Sequence, residues 1–194
     1  MTTALIGISC CLAMMGLLHG YLEITKKKYY DGHDQSSLSN TFYHTGWKFR
    51  VLLVVMPLLL IFPILLANGS YIDGAWSLTA QSALTGWGKF VFALAMGGLI
   101  GVALNADFMS ESEATPHVAA AAGVAALGAF AGCLMRKLWY VGLAIWLAWL
   151  GYYLYKQYKN KKAKNPDAFD LYLELVCFYS LPTCLIVFIL LKLI

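Results

Sequence analysis

Apolar residues along this chain are gathered into long blocks that short polar segments separate. Six blocks, each of 17 to 21 residues, cover positions 3–22, 49–66, 87–104, 118–135, 138–154 and 171–191. A helix needs roughly 20 mostly apolar residues to cross the hydrocarbon core of a bilayer, and about 17 are tolerated. The pattern therefore predicts an all-α integral membrane protein. Its fold is a bundle of six transmembrane helices with short connections, in a single polytopic domain over residues 1–194.

The composition excludes a soluble domain of ordinary type. Of the 194 residues, 60% are hydrophobic and 12% are charged, and the mean hydropathy is +0.67. This apolar excess lies inside the six blocks. The five cysteines also lie in apolar stretches and show no CxxC spacing, which is typical of buried thiols. These cysteines are Cys10, Cys11, Cys133, Cys177 and Cys184.

Polar residues mark where the last three helices begin and end. Only Arg136 and Lys137 separate the fourth block from the fifth, which predicts a tight helical hairpin. After the fifth block a segment rich in tyrosine and lysine predicts that the helix continues beyond the lipid. Asn165 as an N-cap and Pro166 at the first helical position predict the start of the last helix.

Lysine and arginine are unevenly divided between the two predicted faces of the membrane. Ten of the 14 lie in or beside the connections after the first, third and fifth helices. Because cations accumulate on the cytoplasmic side, both termini are expected on the non-cytoplasmic side. Lipid head groups are the expected partners of these lysines, and no separate basic surface predicts a nucleic-acid partner. The lysines expected to meet head groups are Lys26, Lys27, Lys28, Lys159, Lys161 and Lys162.

Small residues recur at helical spacing in the third and fourth blocks. Gly97 and Gly101 are four residues apart, and so are Gly128 and Gly132. Such a stripe lets two helix backbones approach closely inside a membrane. We expect these glycines to pack helices within one chain, with packing across a homo-oligomer or against a membrane protein partner as the alternative.

Histidines and acids define the candidate chemistry. All four histidines fall on the predicted cytoplasmic side, and Glu23, four residues after His19, shares its helix face. Histidine and carboxylate side chains are the ligands of zinc and similar divalent ions, and a metal-bound water could hydrolyse a lipid. The alternative is that these residues only start helices or lie in loops. The candidate catalytic residues are His19, Asp107 and His117, and the candidate metal ligands are His19, His44, Asp107, His117 and Glu174.

One short fragment resembles a known group of membrane enzymes. Asp107-Phe108 followed by His117-Val118-Ala119-Ala120 is similar to the acidic connection and helix-opening histidine of small multi-pass families related to the CREST membrane hydrolases. The resemblance covers residues 107–120 and implies metal-dependent hydrolysis. The paired histidines that those hydrolases carry in a late helix are absent from residues 171–191.

The sequence favours a multi-pass membrane protein without catalytic chemistry of its own, acting through helix packing and contacts with lipids or protein partners. One alternative is a membrane-embedded, metal-dependent hydrolase of a lipid-like substrate. Another is a small oligomeric pore, a holin-like protein or a transporter, in which His19 or Glu174 would face water.

Overall fold

The computed structural model describes residues 1–73, 75–77, 86–104 and 111–194; it describes only the backbone at 42–43, 70–72, 75–77, 103–104, 111–122 and 136. These residues form seven α-helices, with a short antiparallel hairpin after α3 and a 3₁₀ turn, Arg136–Leu138, between α5 and α6. The predicted helical bundle is confirmed. The helices are α1 (Thr2–Tyr29), α2 (Leu38–Thr45), α3 (Trp47–Asn68), α4 (Gly86–Leu104), α5 (Glu111–Met135), α6 (Trp139–Lys162) and α7 (Phe169–Leu191), and the strands are β1 (Ser70–Ile72) and β2 (Ala75–Ser77).

Each apolar block lies on one long helix, but the ends differ from the prediction. Helix α1 continues to Tyr29, and α2 and the hairpin have no counterpart among the predicted helices. The predicted start of the last helix at Asn165 and Pro166 is wrong, since α7 begins at Phe169. Oδ1 of Asp167 accepts hydrogen bonds from the Phe169 amide at 2.9 Å and from the Gln157 side chain of α6 at 2.6 Å. This acid therefore accepts the first amide of α7 and ties the start of the helix to α6.

Helix α7 is the centre of the bundle. It packs against α1, α3, α5 and α6, whereas α4 packs mainly on α5. A helix that is apolar on every side is suited to such a buried position. Two of its hydroxyls are satisfied within the helix: those of Ser180 and Thr183 donate to the carbonyls of Val176 and Tyr179 at 2.6 and 2.7 Å. The Tyr179 hydroxyl of the same helix, in contrast, is buried without a hydrogen-bond partner among the described residues.

Contacts between distant parts of the sequence define the two ends of the bundle. At one end Ala4, Leu66 and Ile189 form a buried cluster, which joins the start of α1 to the ends of α3 and α7. Nζ of Lys192 lies there too and donates to the carbonyls of Leu66, Ala67 and Gly69, with 2.8 Å to Ala67. It thus caps α3. The end of α1, the end of α6 and the start of α7 meet at the opposite end, which we call the cluster end.

Large apolar side chains cover the outside of the bundle. On α3 they form one stripe with spacings of three and four residues, opposite the buried side of the helix. Such residues are normally inside a soluble protein. Three helices among the described residues, α1, α3 and α7, are long and apolar enough to cross a membrane. The exposed stripe of α3 consists of Val51, Val54, Leu58, Ile61 and Leu65.

Candidate functional site

A groove of about 810 Å³ runs between α1 and α6. Both helices pack against α7, and residues of α7 form the floor of the groove. Leu12, Gly16 and His19 line the α1 side, and all three are exposed on the flank of the bundle. Its volume lies within the roughly 300–1,000 Å³ of small-molecule sites.

Aromatic side chains form the opposite wall and the floor of this groove. The Trp149 ring of α6 lies 5.1 Å from the Tyr179 ring of α7 and stacks on Tyr153 at 6.0 Å. Nε1 of Trp149 donates to the hydroxyl of Thr183 at 3.1 Å, which fixes the indole against α7. Tyr152 completes the wall on the exposed side. The groove is thus a firm apolar surface with few polar positions, of which His19 is one.

Charged residues meet around Asp34 at the cluster end. Asp34 lies in the connection between α1 and α2, and its side chain is only 8% exposed. Its carboxylate pairs with Nζ of Lys26 on α1 and with Nζ of Lys156 on α6, both at 2.9 Å. The hydroxyl of Tyr172 on α7 donates to the same carboxylate and accepts from Asn160 at 2.7 Å. One side chain therefore joins three helices.

Ionisation of Asp34 depends on these neighbours. Burial opposes the charge, but hydrogen bonds from Tyr172, Lys156 and Lys26 and the charge of Lys156 outweigh it, and the pKa falls to about 2. Asp34 is consequently a carboxylate at every physiological pH. The contact of Asp34 with the two lysines is therefore ionic at these pH values.

Sequence reasoning did not single out Asp34. Its partners lie eight residues before it and more than 120 residues after it, so no local spacing reveals the contact. The available signal is weak: an acid in a connection that follows the lysines of α1. Only the packing of α6 and α7 brings the partners together.

The described candidate metal ligands have three different surroundings. His19 lines the groove. His44 of α2 stacks on the Tyr29 ring with centroids 5.3 Å apart. Oε2 of Glu174 accepts the Leu38 amide at 2.7 Å and so caps the start of α2 from α7. No group of three or more His, Cys, Asp or Glu side chains within the described ranges could hold a metal ion.

Two further candidates, Asp107 and the side chain of His117, lie outside the described residues. The backbone of position 117 is helical and belongs to α5. The metal site that the sequence suggests around these two residues therefore stays a prediction.

The candidate packing glycines lie in three kinds of surroundings. The closest approach of α4 and α5 is at neighbouring positions, where a Cβ added to Gly123 would lie 2.9 Å from Cα of Gly98. An added Cβ would meet nothing within 4 Å at Gly97 or Gly132, whereas at Gly128 it would lie 3.3 Å from the Trp146 ring of α6. Gly101 lies on α4, the helix that also carries Gly97.

The six lysines predicted to meet lipid head groups all lie near the ends of α1 and α6, at the cluster end. Lys26 is engaged by Asp34. Nζ of Lys28 lies 4.9 Å from the Tyr29 ring and Nζ of Lys159 lies 5.1 Å from the Tyr155 ring. Lys27, Lys161 and Lys162 are exposed, so this end of the bundle presents a basic surface.

Comparison with protein-family models, curated proteins and solved structures finds no match for this chain. The function must therefore be argued from the groove, the Asp34 cluster and the outer surface.

Proposed function

We propose that this chain is a six-span membrane protein that binds a lipid-like, amphipathic molecule in the groove between α1 and α6. The single observation that carries the proposal is the groove itself. It is large, lined mainly by apolar and aromatic side chains, and open on the flank of the bundle, where the surrounding surface is apolar. A ligand with an apolar chain matches this lining.

The lengths of the helices and the aromatic residues near their ends support six crossings. The six long helices contain 19 to 28 residues, which is about 28 to 42 Å at 1.5 Å per residue. The hydrocarbon core of a bilayer is about 30 Å thick. Exposed Trp87 and Trp139 begin α4 and α6, and exposed Tyr155 and Tyr158 lie near the far end of α6, positions that suit the membrane interface.

The distribution of lysine supports an orientation with both termini on the non-cytoplasmic side. The cluster end then faces the cytoplasm, where anionic lipids attract basic surfaces. In this arrangement a bound molecule has its apolar chain beside Leu12 and Ile145, and its polar group lies beyond His19, toward the cluster end.

Filling the groove tests this proposal. Gly16 lines the groove, and an added Cβ there meets nothing within 4 Å, so Gly16→Trp places an indole in the space for the ligand. Native mass spectrometry of the detergent-purified chain with 1-oleoylglycerol counts the bound molecules. We expect one molecule on the wild-type chain and a loss of affinity of at least about tenfold in the variant.

Gly151→Trp is the matched control. Gly151 lies on the exposed outer face of α6, does not line the groove, and also has open space at the Cβ position. This variant should bind 1-oleoylglycerol like the wild-type chain. Equal binding by all three proteins, or no binding by any of them, would contradict the proposal.

A further inference from the structure

The Asp34 cluster contains the parts of an anion site. Three donors from three helices, Nζ of Lys26, Nζ of Lys156 and the hydroxyl of Tyr172, converge on one carboxylate. We call these three donors the anion cradle. Two ammonium groups and a hydroxyl are donors that bind a phosphate as readily as a carboxylate.

The donors of the cradle outnumber the oxygens that Asp34 offers them, because two carboxylate oxygens accept from three donors. The two positive charges of the lysines are balanced by Asp34 and by Glu23, which lies 3.8 Å from Lys26. A phosphate monoester carries about −1.5 to −2 at neutral pH and offers three strong acceptor oxygens. It could therefore match both lysines and the tyrosine hydroxyl at once.

The connection that carries Asp34 is held in place by other contacts. The carbonyl of Ser36 accepts the Leu171 amide at 2.9 Å, and the side-chain amide of Gln35 donates to Thr41 at 2.9 Å. Neither contact uses the Asp34 carboxylate. A ligand anion can thus displace this side chain while the connection stays docked on α7.

The cradle lies beyond the end of the groove, and none of its three donors lines the groove itself. Tyr153 lines the groove, and its ring stacks on Tyr172 of the cradle with centroids 5.2 Å apart. On α1, Lys26 lies seven residues beyond His19, a distance of about 10 Å along the helix. A single molecule can therefore extend from the apolar walls to the cradle.

We infer that the ligand of the groove is an anionic lipid with a phosphate head group, and that Asp34 occupies the place of that phosphate when the groove is empty. This inference rests on the proposed function, because the groove supplies the apolar half of the site. Asp34 then acts as a built-in competitor that keeps the cradle formed and sets the threshold for binding.

Two probes with the same acyl chain separate the inference from the proposed function. Oleoyl lysophosphatidic acid has a phosphate head group, whereas 1-oleoylglycerol is neutral. We expect the wild-type chain to bind the anionic probe more tightly. Asp34→Asn should strengthen anionic-probe binding by about tenfold, as charge-assisted hydrogen bonds become free for the ligand. Lys156→Gln should weaken it, and binding of the neutral probe should change little in either variant.

Asp31→Asn is the matched control, because it removes the same charge three residues away. Asp31 is exposed, and asparagine tolerates its positive φ of 48°. We expect it to leave both affinities near the wild-type values. Thermal unfolding with each probe gives a second measurement: the anionic probe should stabilise Asp34→Asn more than it stabilises the wild-type chain.

The outcomes are distinguishable. If the neutral probe binds and is blocked by Gly16→Trp, but both probes bind alike in every cradle variant, the proposed function stands and this inference is wrong. If inorganic phosphate alone competes fully with oleoyl lysophosphatidic acid, the cradle is a site for a free anion and the lipid assignment is overturned. If neither probe binds, the proposed function is wrong, and this inference, which rests on it, is wrong as well.

Discussion

At the scale of single residues, acidic and basic side chains at the two ends of the bundle join helices that are distant in the sequence. Lys192 satisfies carbonyls at the end of α3, and Asp34 joins α1, α6 and α7. When one partner of such a contact is removed, the remaining polar groups stay buried without a hydrogen-bond or ionic partner. The resulting loss in the free energy of unfolding is larger than the net contribution of the intact contact.

The pKa of Asp34 predicts how the stability of the protein depends on pH. The folded pKa of Asp34 is about 2, and an unfolded aspartate titrates near 3.9. Because the folded value is the lower one, the stabilisation is present above about pH 4 and is lost as the pH falls towards 2. Thermal unfolding in detergent from pH 7 to pH 2.5 should show wild type losing its advantage over Asp34→Asn below about pH 4. A constant difference across that range would contradict the role of the charge.

Lys192 gives a second prediction at this scale. Lys192→Met keeps much of the side-chain volume but leaves the carbonyls of Leu66, Ala67 and Gly69 without this donor. We expect the free energy of unfolding to fall by about 1–3 kcal/mol. Lys161→Met, at an exposed position of α6, is the control and should change stability little. Denaturant unfolding in detergent micelles measures both variants, and equal effects would show that Lys192 does not act as a cap.

At the scale of elements, the closest helix pair is α4 with α5. Gly98 and Gly123 meet there, and a Cβ on Gly123 would also lie 3.1 Å from the Leu94 carbonyl. Both neighbours are backbone atoms and cannot move aside without shifting a helix. The packing of this pair therefore depends on the absence of one methyl group.

Gly123→Ala tests this packing. We expect a loss of about 1–3 kcal/mol of stability, because the extra carbon overpacks the contact. Gly97→Ala is the matched control, since its added Cβ meets nothing within 4 Å. It should be neutral or stabilising, as alanine favours a helix by up to about 1 kcal/mol over glycine. Thermal unfolding of both variants measures these changes in stability. A Gly123→Ala protein as stable as the wild-type chain would contradict the prediction and show that α4 can shift.

The sequence predicts elements better than it predicts contacts between them. Long apolar blocks give the six long helices, because a helix satisfies its backbone hydrogen bonds within the block itself. Which glycine of α4 meets α5 depends on helix rotation, and the pattern at Gly97 and Gly101 does not determine it. Helix α2 and the hairpin are short and depend on packing, as the Glu174 cap on α2 illustrates. The Asp34 cluster depends on packing entirely.

At the scale of the whole molecule, the six-span proposal predicts which connections face each side. Asp73 in the hairpin region and Lys161 at the end of α6 are exposed and lie at opposite ends of the bundle. In intact cells a membrane-impermeant maleimide should label Asp73→Cys, and should label Lys161→Cys only after permeabilisation. The wild-type chain, with its five cysteines in apolar stretches, gives the background. Labelling of both sites in intact cells would contradict the topology.

The central position of α7 has a consequence for biosynthesis. Six helices leave the ribosome before it, and α1, α3, α5 and α6 each use α7 as a packing partner. If the six-span proposal holds, these helices stand in the bilayer with their shared surface facing lipid until α7 is inserted. Assembly of the bundle would then be completed only after α7 has been translated. A nascent chain released before residue 169 would remain a set of loosely associated spans, which is a form that membrane quality control can recognise.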